Sequence, residues 1–338
     1  MITIDGSQGE GGGQVLRSSL ALSMVTGRAF CIENIRARRP RPGLMRQHLT
    51  CVNAAATISG ARVTGAEVGS RCITFTPGRV RAGDYHFAIG TAGGTMLVLQ
   101  AVLPALLRAP APSRLVVEGG THNTAAPPFE FFERALLPLL QRAGATVRAA
   151  LERHGFYPAG GGRVVVEIEP ATRAKPLELL ERGDRQAMTA TAVVSLLPGD
   201  IAQRELAVLR TRLSIAEHDA HVRFVPDPIG PGNVAMVEVR HEHVTEVFSA
   251  VGEIRRSAEA VANGLVSEVA SYLGKGRPVG PHMADQLMVP LAVLAGGRYA
   301  TGRLSDHALT NLQTMAAFGA HAHAVSEGLV TVEALSTS

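Results

Sequence analysis

The chain has 338 residues, 46% hydrophobic and 18% charged, which is enough for a packed core and, by length, about two domains. Trp is absent and aromatic residues make up 4%, which argues against a stacking platform for single strands as the main binding device. The net charge of +4 suits an anionic partner. Lys175 and Lys275 are the only lysines, so Arg carries the basic charge and covalent chemistry through a lysine amine has few candidates.

The N-terminal run Met1 to Gly6 does not read as a signal peptide. Five of the eight residues from Gly6 to Gly13 are Gly, with Glu10 the one carboxylate among them. Such a turn lets the backbone take positive φ and lets a ligand approach the main chain. Leu16, Leu20 and Met24 then fall on one helical stripe, with Gln14, Arg17 and Ser18 on another face. Free N–H groups and the positive helix end suit phosphate. A carboxylate beside phosphate requires a cation or a transferable proton between them. No Gly-Lys-Ser/Thr follows, so this is not a Walker loop, and Gln14 stands where a dinucleotide fingerprint needs its third Gly.

Phe30 to Ile35 reads as a strand, and Arg36, Arg38, Arg39 and Arg41 at its end form an anion trap or a solvated charged loop. Gln47 follows beside a Pro-Gly turn, exposed and able to hydrogen-bond a sugar hydroxyl or a phosphate. Cys31, Cys51 and Cys72 lack Cys-x-x-Cys spacing and read as buried free thiols in a reducing compartment. The longest apolar run, Met96 to Leu107, is broken by Gln100 and Pro104 and is too short to span a bilayer. The expectation is a soluble, cytoplasmic protein with no membrane partner.

Three segments share a helix, a Gly-Ala turn and two strand-like runs: Leu49 to Phe75, Ala135 to Ile168 and Leu309 to Val332. Their turns are Gly60-Ala61, Gly144-Ala145 and Gly319-Ala320, each Gly suited to ending a helix. Upstream, Gly12-Gly13-Gln14 matches Gly93-Gly94-Thr95 as a helix start, and a strand (Arg114 to Glu118) follows the second. The fold class is therefore α/β, with three repeated βαβαββ-type units. Gly60 and Gly144 lie 84 residues apart, but Gly144 and Gly319 lie 175 apart. The excess of about 90 residues predicts an inserted small α/β domain. The expected organisation is residues 1–182 for repeats one and two, 183–276 for the insertion and 277–338 for repeat three. Within the insertion, strands are expected at Ala187 to Ser195, Val234 to Val239 and Val244 to Val251, with helices at Ile201 to Arg212 and Ser257 to Leu273.

His241-x-His243, His321-x-His323 and His218-x-x-His221 have metal-like spacing but no further ligand nearby, and read as surface residues. His307 differs, because it opens the last helix of repeat three within Ser305-Asp306-His307-Ala308-Leu309-Thr310-Asn311. A neutral imidazole can attack phosphorus. Thr310 and Asn311 share its helix face and can orient the ring or the phosphates. Asp285 and Gln286 interrupt an apolar helix, and a carboxylate there is costly unless paired or functional. By the repeat pattern Asp285 and Gln14 meet at a pseudo-threefold centre.

Taken together these residues resemble the RNA 3′-terminal phosphate cyclase family. The resemblance rests on Gly9 to Ser18; Ile35-Arg36-Ala37 with Arg39, Pro42-Gly43-Leu44 and Gln47-His48-Leu49; Gly90-Thr91-Ala92-Gly93 with Gln100; Gly119-Gly120-Thr121 with Ala126-Pro127; His154 to Gly162; Ala284 to Leu287; and His307 to Asn311. It runs in order along nearly the whole chain. It implies ATP-dependent conversion of an RNA 3′-phosphate to a 2′,3′-cyclic phosphate, through histidine adenylylation and an RNA-adenylate, with AMP and pyrophosphate released.

By the same resemblance His307 matches the nucleophile, and Glu10 the carboxylate that holds a divalent cation, Mg²⁺ or Mn²⁺. Arg17, Arg36, Arg39 and Gln47 match positions that bind phosphate and the RNA end. Gln100, Pro127, His282, Asp285 and Gln286 match the nucleotide pocket, with Thr310 and Asn311 beside it. The partners implied are ATP and an RNA with a 3′-phosphate, and no oligomeric state follows. His282 stands where Tyr is common, which alters adenine stacking. Gly252 to Arg255 and Asn123-Thr124-Ala125 also depart from the family pattern. The rival readings are a non-catalytic cyclase-like ribosome-assembly factor, whose members lack the His307 equivalent, and a nucleotidyl transferase acting on another phosphate end.

Overall fold

The computed structural model describes residues 1–124, 126–325 and 328–335, so Ala125 of the variant segment and part of the last two-strand run lie outside the described residues. The first unit contains β1 (Ile2–Asp5), α1 (Gln14–Thr26), β2 (Phe30–Glu33), α2 (Arg46–Ser59), β3 (Arg62–Thr64) and β4 (Ile73–Thr76). Its sheet order is β1-β2-β4-β3, with β1 and β2 parallel and the other pairs antiparallel. The second contains β5 (Asp84–Ala88), α3 (Thr95–Leu106), β6 (Ser113–Gly119), a wide helical turn (Phe131–Leu136) that runs into α4 (Leu137–Arg142), β7 (Thr146–Arg153) and β8 (Gly162–Glu169). Its order, β5-β6-β8-β7, repeats the first topology.

The third unit begins with β9 (Leu177–Leu179) and is then interrupted. The interrupting segment forms β10 (Arg185–Ser195), α5 (Asp200–Leu213), β11 (Ala220–Phe224), β12 (Gly232–His241), β13 (Thr245–Val251) and α6 (Ala258–Lys275), with its own sheet β11-β10-β12-β13. The chain returns as α7 (Pro281–Val293), β14 (Gly297–Ala300), α8 (Asp306–Ala317), β15 (Ala322–Val325) and β16 (Leu329–Val332). β14 pairs in parallel with β9, so the third sheet, β9-β14-β16-β15, closes around the interruption. The fold is α/β, and among the described residues no helix is long and apolar enough to cross a membrane.

Local chemistry sets the boundaries. Gly27 (φ +70°) and Gly60 (φ +62°) end α1 and α2 in the left-handed region, each donating its N–H back into the last turn. Ser257 and Ser305 cap α6 and α8 by accepting from Ala260 and Ala308. The main core is where α1, α3 and α7 converge, with Leu16, Leu20, Val98, Val102, Leu287 and Met288 buried. A separate cluster, including Leu209, Val237, Leu265 and Val269, lies in the interrupting segment.

Two readings change and one gains detail. The polar face of α1 is buried too: Gln14, Arg17, Ser18 and Ser19 are covered as well as its leucines, because α2, α3, α7 and α8 all pack on it. Of the thiols only Cys51 is buried. Strand alternation turns Phe30 and Ile32 inward and Cys31 outward, beside an exposed Cys72 with the two Sγ atoms 3.7 Å apart. His241 is buried, edge-on to Tyr272, rather than at the surface.

Glu246 on β13 accepts the Gly280 N–H at 2.6 Å and so ties the interrupting segment to the start of α7. Burial pushes its carboxyl up from 4.5 to about 8. The folded state therefore prefers the protonated acid, and stability falls as pH rises from 4.5 toward 8. Glu246→Gln keeps the acceptor and removes the charge. Thermal denaturation is expected to show it more stable than the parent at pH 8, by roughly 1–3 kcal/mol, with the gain vanishing near pH 4.5.

Candidate active site

The site starts with the glycine loop. Gly9 (φ +59°) packs so closely on α8 that a Cβ there would collide with the Thr310 hydroxyl. That approach lets the Glu10 N–H donate to Thr310 Oγ1 at 2.9 Å. A Cβ on Gly12 would strike the Glu10 carboxylate itself. The carboxylate is held by an ion pair with Arg39, and its Oε2 lies 4.0 Å from His307 Nδ1. Oε2 is buried and, among the described residues, has no hydrogen-bond partner.

Beneath this loop is a buried polar cluster drawn from four helices, α1, α3, α7 and α8. Arg17 donates to Gln14 Oε1 at 2.8 Å and to Gln100 Oε1, and Gln100 also donates to Gln14 at 3.4 Å. Burial lowers the Arg17 pKa, while nearby Cys51 and Asp285 favour its charge. Burial pushes Asp285 up to about 7, against the hydrogen bond from Gln286 (2.8 Å) and the pull of Arg17. Asn311 donates to the Asp285 carbonyl at 2.9 Å and accepts from Ser18 at 2.5 Å, locking α8 to α7 and α1.

His307 is the second residue of α8 and is half-exposed. Its pKa is lowered, first by desolvation and then by Arg17, Arg39 and His282. The imidazole is thus biased toward its neutral form, which carries a free lone pair. It opens on a groove of about 450 Å³ lined from one side by Gln14, Arg17, Pro127, His282, Asp285 and Gln286. Phe248, Val251, Arg256 and Leu265 of the interrupting segment line the other side. Gln100 and Asn311 face a narrower cavity behind Gln14, shared with Pro127, Asp285 and Gln286.

Four residues sit differently from the expectation. Arg36 (φ +53°) donates Nη1 to the Arg41 and Gly43 carbonyls at 2.7 and 2.9 Å, so its guanidinium braces its own loop. Gln47 accepts the Gly94 N–H at 3.2 Å, joining α2 to the start of α3. Thr310 and Asn311 hydrogen-bond to the glycine loop, α1 and α7, with no hydrogen bond to the His307 ring among the described residues, because their side chains are spent on positioning those neighbours. Two features had no clear sequence signal. His48, buried under Gly13, accepts the Met45 N–H at 3.2 Å, and burial with Arg17 lowers it to about 3. His122 pairs with Glu130 at 2.8 Å and meets Thr121 Oγ1 at 2.8 Å, anchoring the loop that carries Pro127 to the groove. Only contacts eight residues or more apart, or across a fold, reveal such a clasp.

A buried guanidinium, a loop carboxylate with a free oxygen and a predominantly neutral histidine at one groove define an α/β enzyme built to handle anionic groups. The chain belongs to the RNA 3′-terminal phosphate cyclase family, whose profile matches residues 8–325. It is 51% identical over 318 residues to the RNA 3′-terminal phosphate cyclase of Koribacter versatilis (strain Ellin345), covering 94% of this chain and 90% of that protein. It is 50% identical over 317 residues to the protein of the same name from Ectopseudomonas mendocina (strain ymp), covering 94% and 92%.

Proposed function

We propose that this chain is an ATP-dependent RNA 3′-terminal phosphate cyclase that works through a histidine–AMP intermediate. The observation that carries the reading is His307 beside Glu10 at the mouth of the groove that holds Arg17, Asp285 and Gln286. Nδ1 faces Glu10, which leaves Nε2 to attack the α-phosphorus of ATP. A P–N bond forms, the bond to pyrophosphate breaks and the imidazole proton is released. An oxygen of the RNA 3′-phosphate then attacks the AMP phosphorus and frees His307. The vicinal 2′-OH attacks the 3′-phosphorus, loses its proton, closes the ring and expels AMP.

Arg17 and Arg39 offset the phosphate charge, and Arg36 keeps the Arg39 loop in place. Gln47 holds the same loop against α3. His282 and Pro127 flank the nucleotide base, with Gln100, Asp285, Gln286 and Asn311 as its polar floor and Thr310 holding the Glu10 backbone. The orphaned Oε2 of Glu10 is a hard oxygen donor suited to Mg²⁺ or Mn²⁺. Such a cation, when bound, would screen the phosphate oxygens. We read residues 183–276 as an inserted domain between 1–182 and 277–338, supported by its separate core. Unbonded Cys31 and Cys72 suit a reducing, cytoplasmic setting. The non-catalytic rival is disfavoured by His307 itself. The transferase rival differs only in its acceptor.

The test is ATP consumption: RNA ending in 3′-phosphate should drive ATP to AMP, whereas RNA ending in 3′-OH should not. Consumption with neither, or equally with both, overturns the reading. The pH profile of adduct formation is a second test. Because His307 is shifted down from 6.5, the acidic limb of the rate should lie below pH 6.5. Arg39→Gln removes a neighbouring positive charge and should move that limb to higher pH.

A further inference from the structure

The groove continues past His282. It runs between Tyr272 and Thr301 into a depression of about 400 Å³, and from there into one of about 510 Å³ beside Thr301 to Leu304. Lys275, Arg277 and Arg303 line both depressions and are exposed. Among the described residues none of the three is ion-paired, and Glu268 at the inner end is the one carboxylate in the lining. Lys275, at the end of α6, lies over Gly302: a Cβ there would stand 3.3 Å from its Cδ and 3.8 Å from its Nζ. The missing side chain of Gly302 thus brings the ammonium to the loop that carries Arg303. Like charges gathered without a carboxylate paired to them repel unless an anion joins them.

We propose that this basic groove takes the sugar–phosphate backbone of the RNA upstream of its reacting 3′ end. The proposal rests on the cyclase reading and adds the path of the substrate. His282 belongs both to this groove and to the one at His307, and Arg303 lies four residues before His307 on the loop that enters α8. A strand that leaves the active site on that side meets the three cations in turn. Beyond His282, which sits at the junction with the His307 groove, the aromatic rings in the described lining are Phe248 and the buried Tyr272, whose hydroxyl donates to the Pro278 carbonyl. Phosphate contact without base stacking makes recognition independent of sequence. Arg38 and Arg41 on the loop after β2, with Arg46 at the start of α2, offer a competing path, but these exposed residues line none of these grooves.

The experiment compares the parent with a Lys275→Gln/Arg277→Gln/Arg303→Gln triple variant. The AMP adduct formed from ATP alone should be unchanged. For a 20-nucleotide RNA with a 3′-phosphate, KM should rise about tenfold, and the slope of log KM against log salt should become shallower by about 2. For a dinucleotide with a 3′-phosphate, KM should stay the same. An unchanged KM for the 20-mer, an equal rise for the dinucleotide, or the whole effect moving instead to an Arg38→Gln/Arg41→Gln variant would overturn the proposal. If the triple variant fails to fold, Arg277→Gln alone is read the same way, with a slope change of about 0.7. If the parent forms no adduct, the cyclase reading fails, and anisotropy of the labelled 20-mer still reports whether the groove binds RNA.

Discussion

His307→Ala is expected to form no AMP adduct when incubated with labelled ATP, whereas the parent should give an adduct stable to alkali and labile to acid, as a P–N bond requires. Cyclisation should fall by about 10³-fold or more, because removal of the nucleophile removes the covalent route altogether. The substitution tests chemistry rather than folding. His307 is half-exposed, Ser305 caps α8 independently of it, and Ala raises helix propensity. Thr310 and Asn311, which hold α8 to the glycine loop and to α7, are untouched. A variant that keeps its adduct would move the nucleophile elsewhere. Lys175 and Lys275 would then be the amines left to examine, and because a lysine adduct is also an acid-labile P–N bond, loss of the adduct on substitution of either lysine would identify it.

The three repeats were legible because each depends on local chemistry. A Gly that ends a helix and alternating strands after it need no distant partner to be read, and the 175-residue gap between Gly144 and Gly319 exposes the interruption. The grouping of Glu10, Arg17, Asp285 and His307 was legible from the repeat pattern together with the family resemblance. What escaped was decided by tertiary contacts. Arg36 looked like a ligand for phosphate, but a positive φ turns it toward the carbonyls of its own loop. Thr310 shares a helix face with His307, yet Gly9 comes close enough to claim its hydroxyl. Cys31 and His241 were misjudged because the facing of a strand residue depends on which side the helices cover.

Glu10→Gln is the sharper test of how the loop works, because it keeps the shape of the side chain and removes only the charge. Adduct formation should drop by about 10²–10³-fold, the size expected when a positioned electrostatic group is lost. Two consequences separate this loss from a collapsed loop. The Glu10 N–H still reaches Thr310, since that bond uses the backbone, so melting temperature should change little. Arg39, no longer neutralised, should sit free over the site and depress the His307 pKa further, so the acidic limb of the residual rate should move down in pH. Chelation of divalent cations should inhibit the parent strongly and the variant weakly, because the oxygen that would hold the cation is the one removed. Equal inhibition of both would take the metal away from Glu10. Gly12→Ala completes the comparison: its Cβ would push the carboxylate aside while leaving the charge in place. If charge alone matters, Gly12→Ala is active. If the carboxylate acts by its placement 4.0 Å from His307, Gly12→Ala should lose nearly as much as Glu10→Gln.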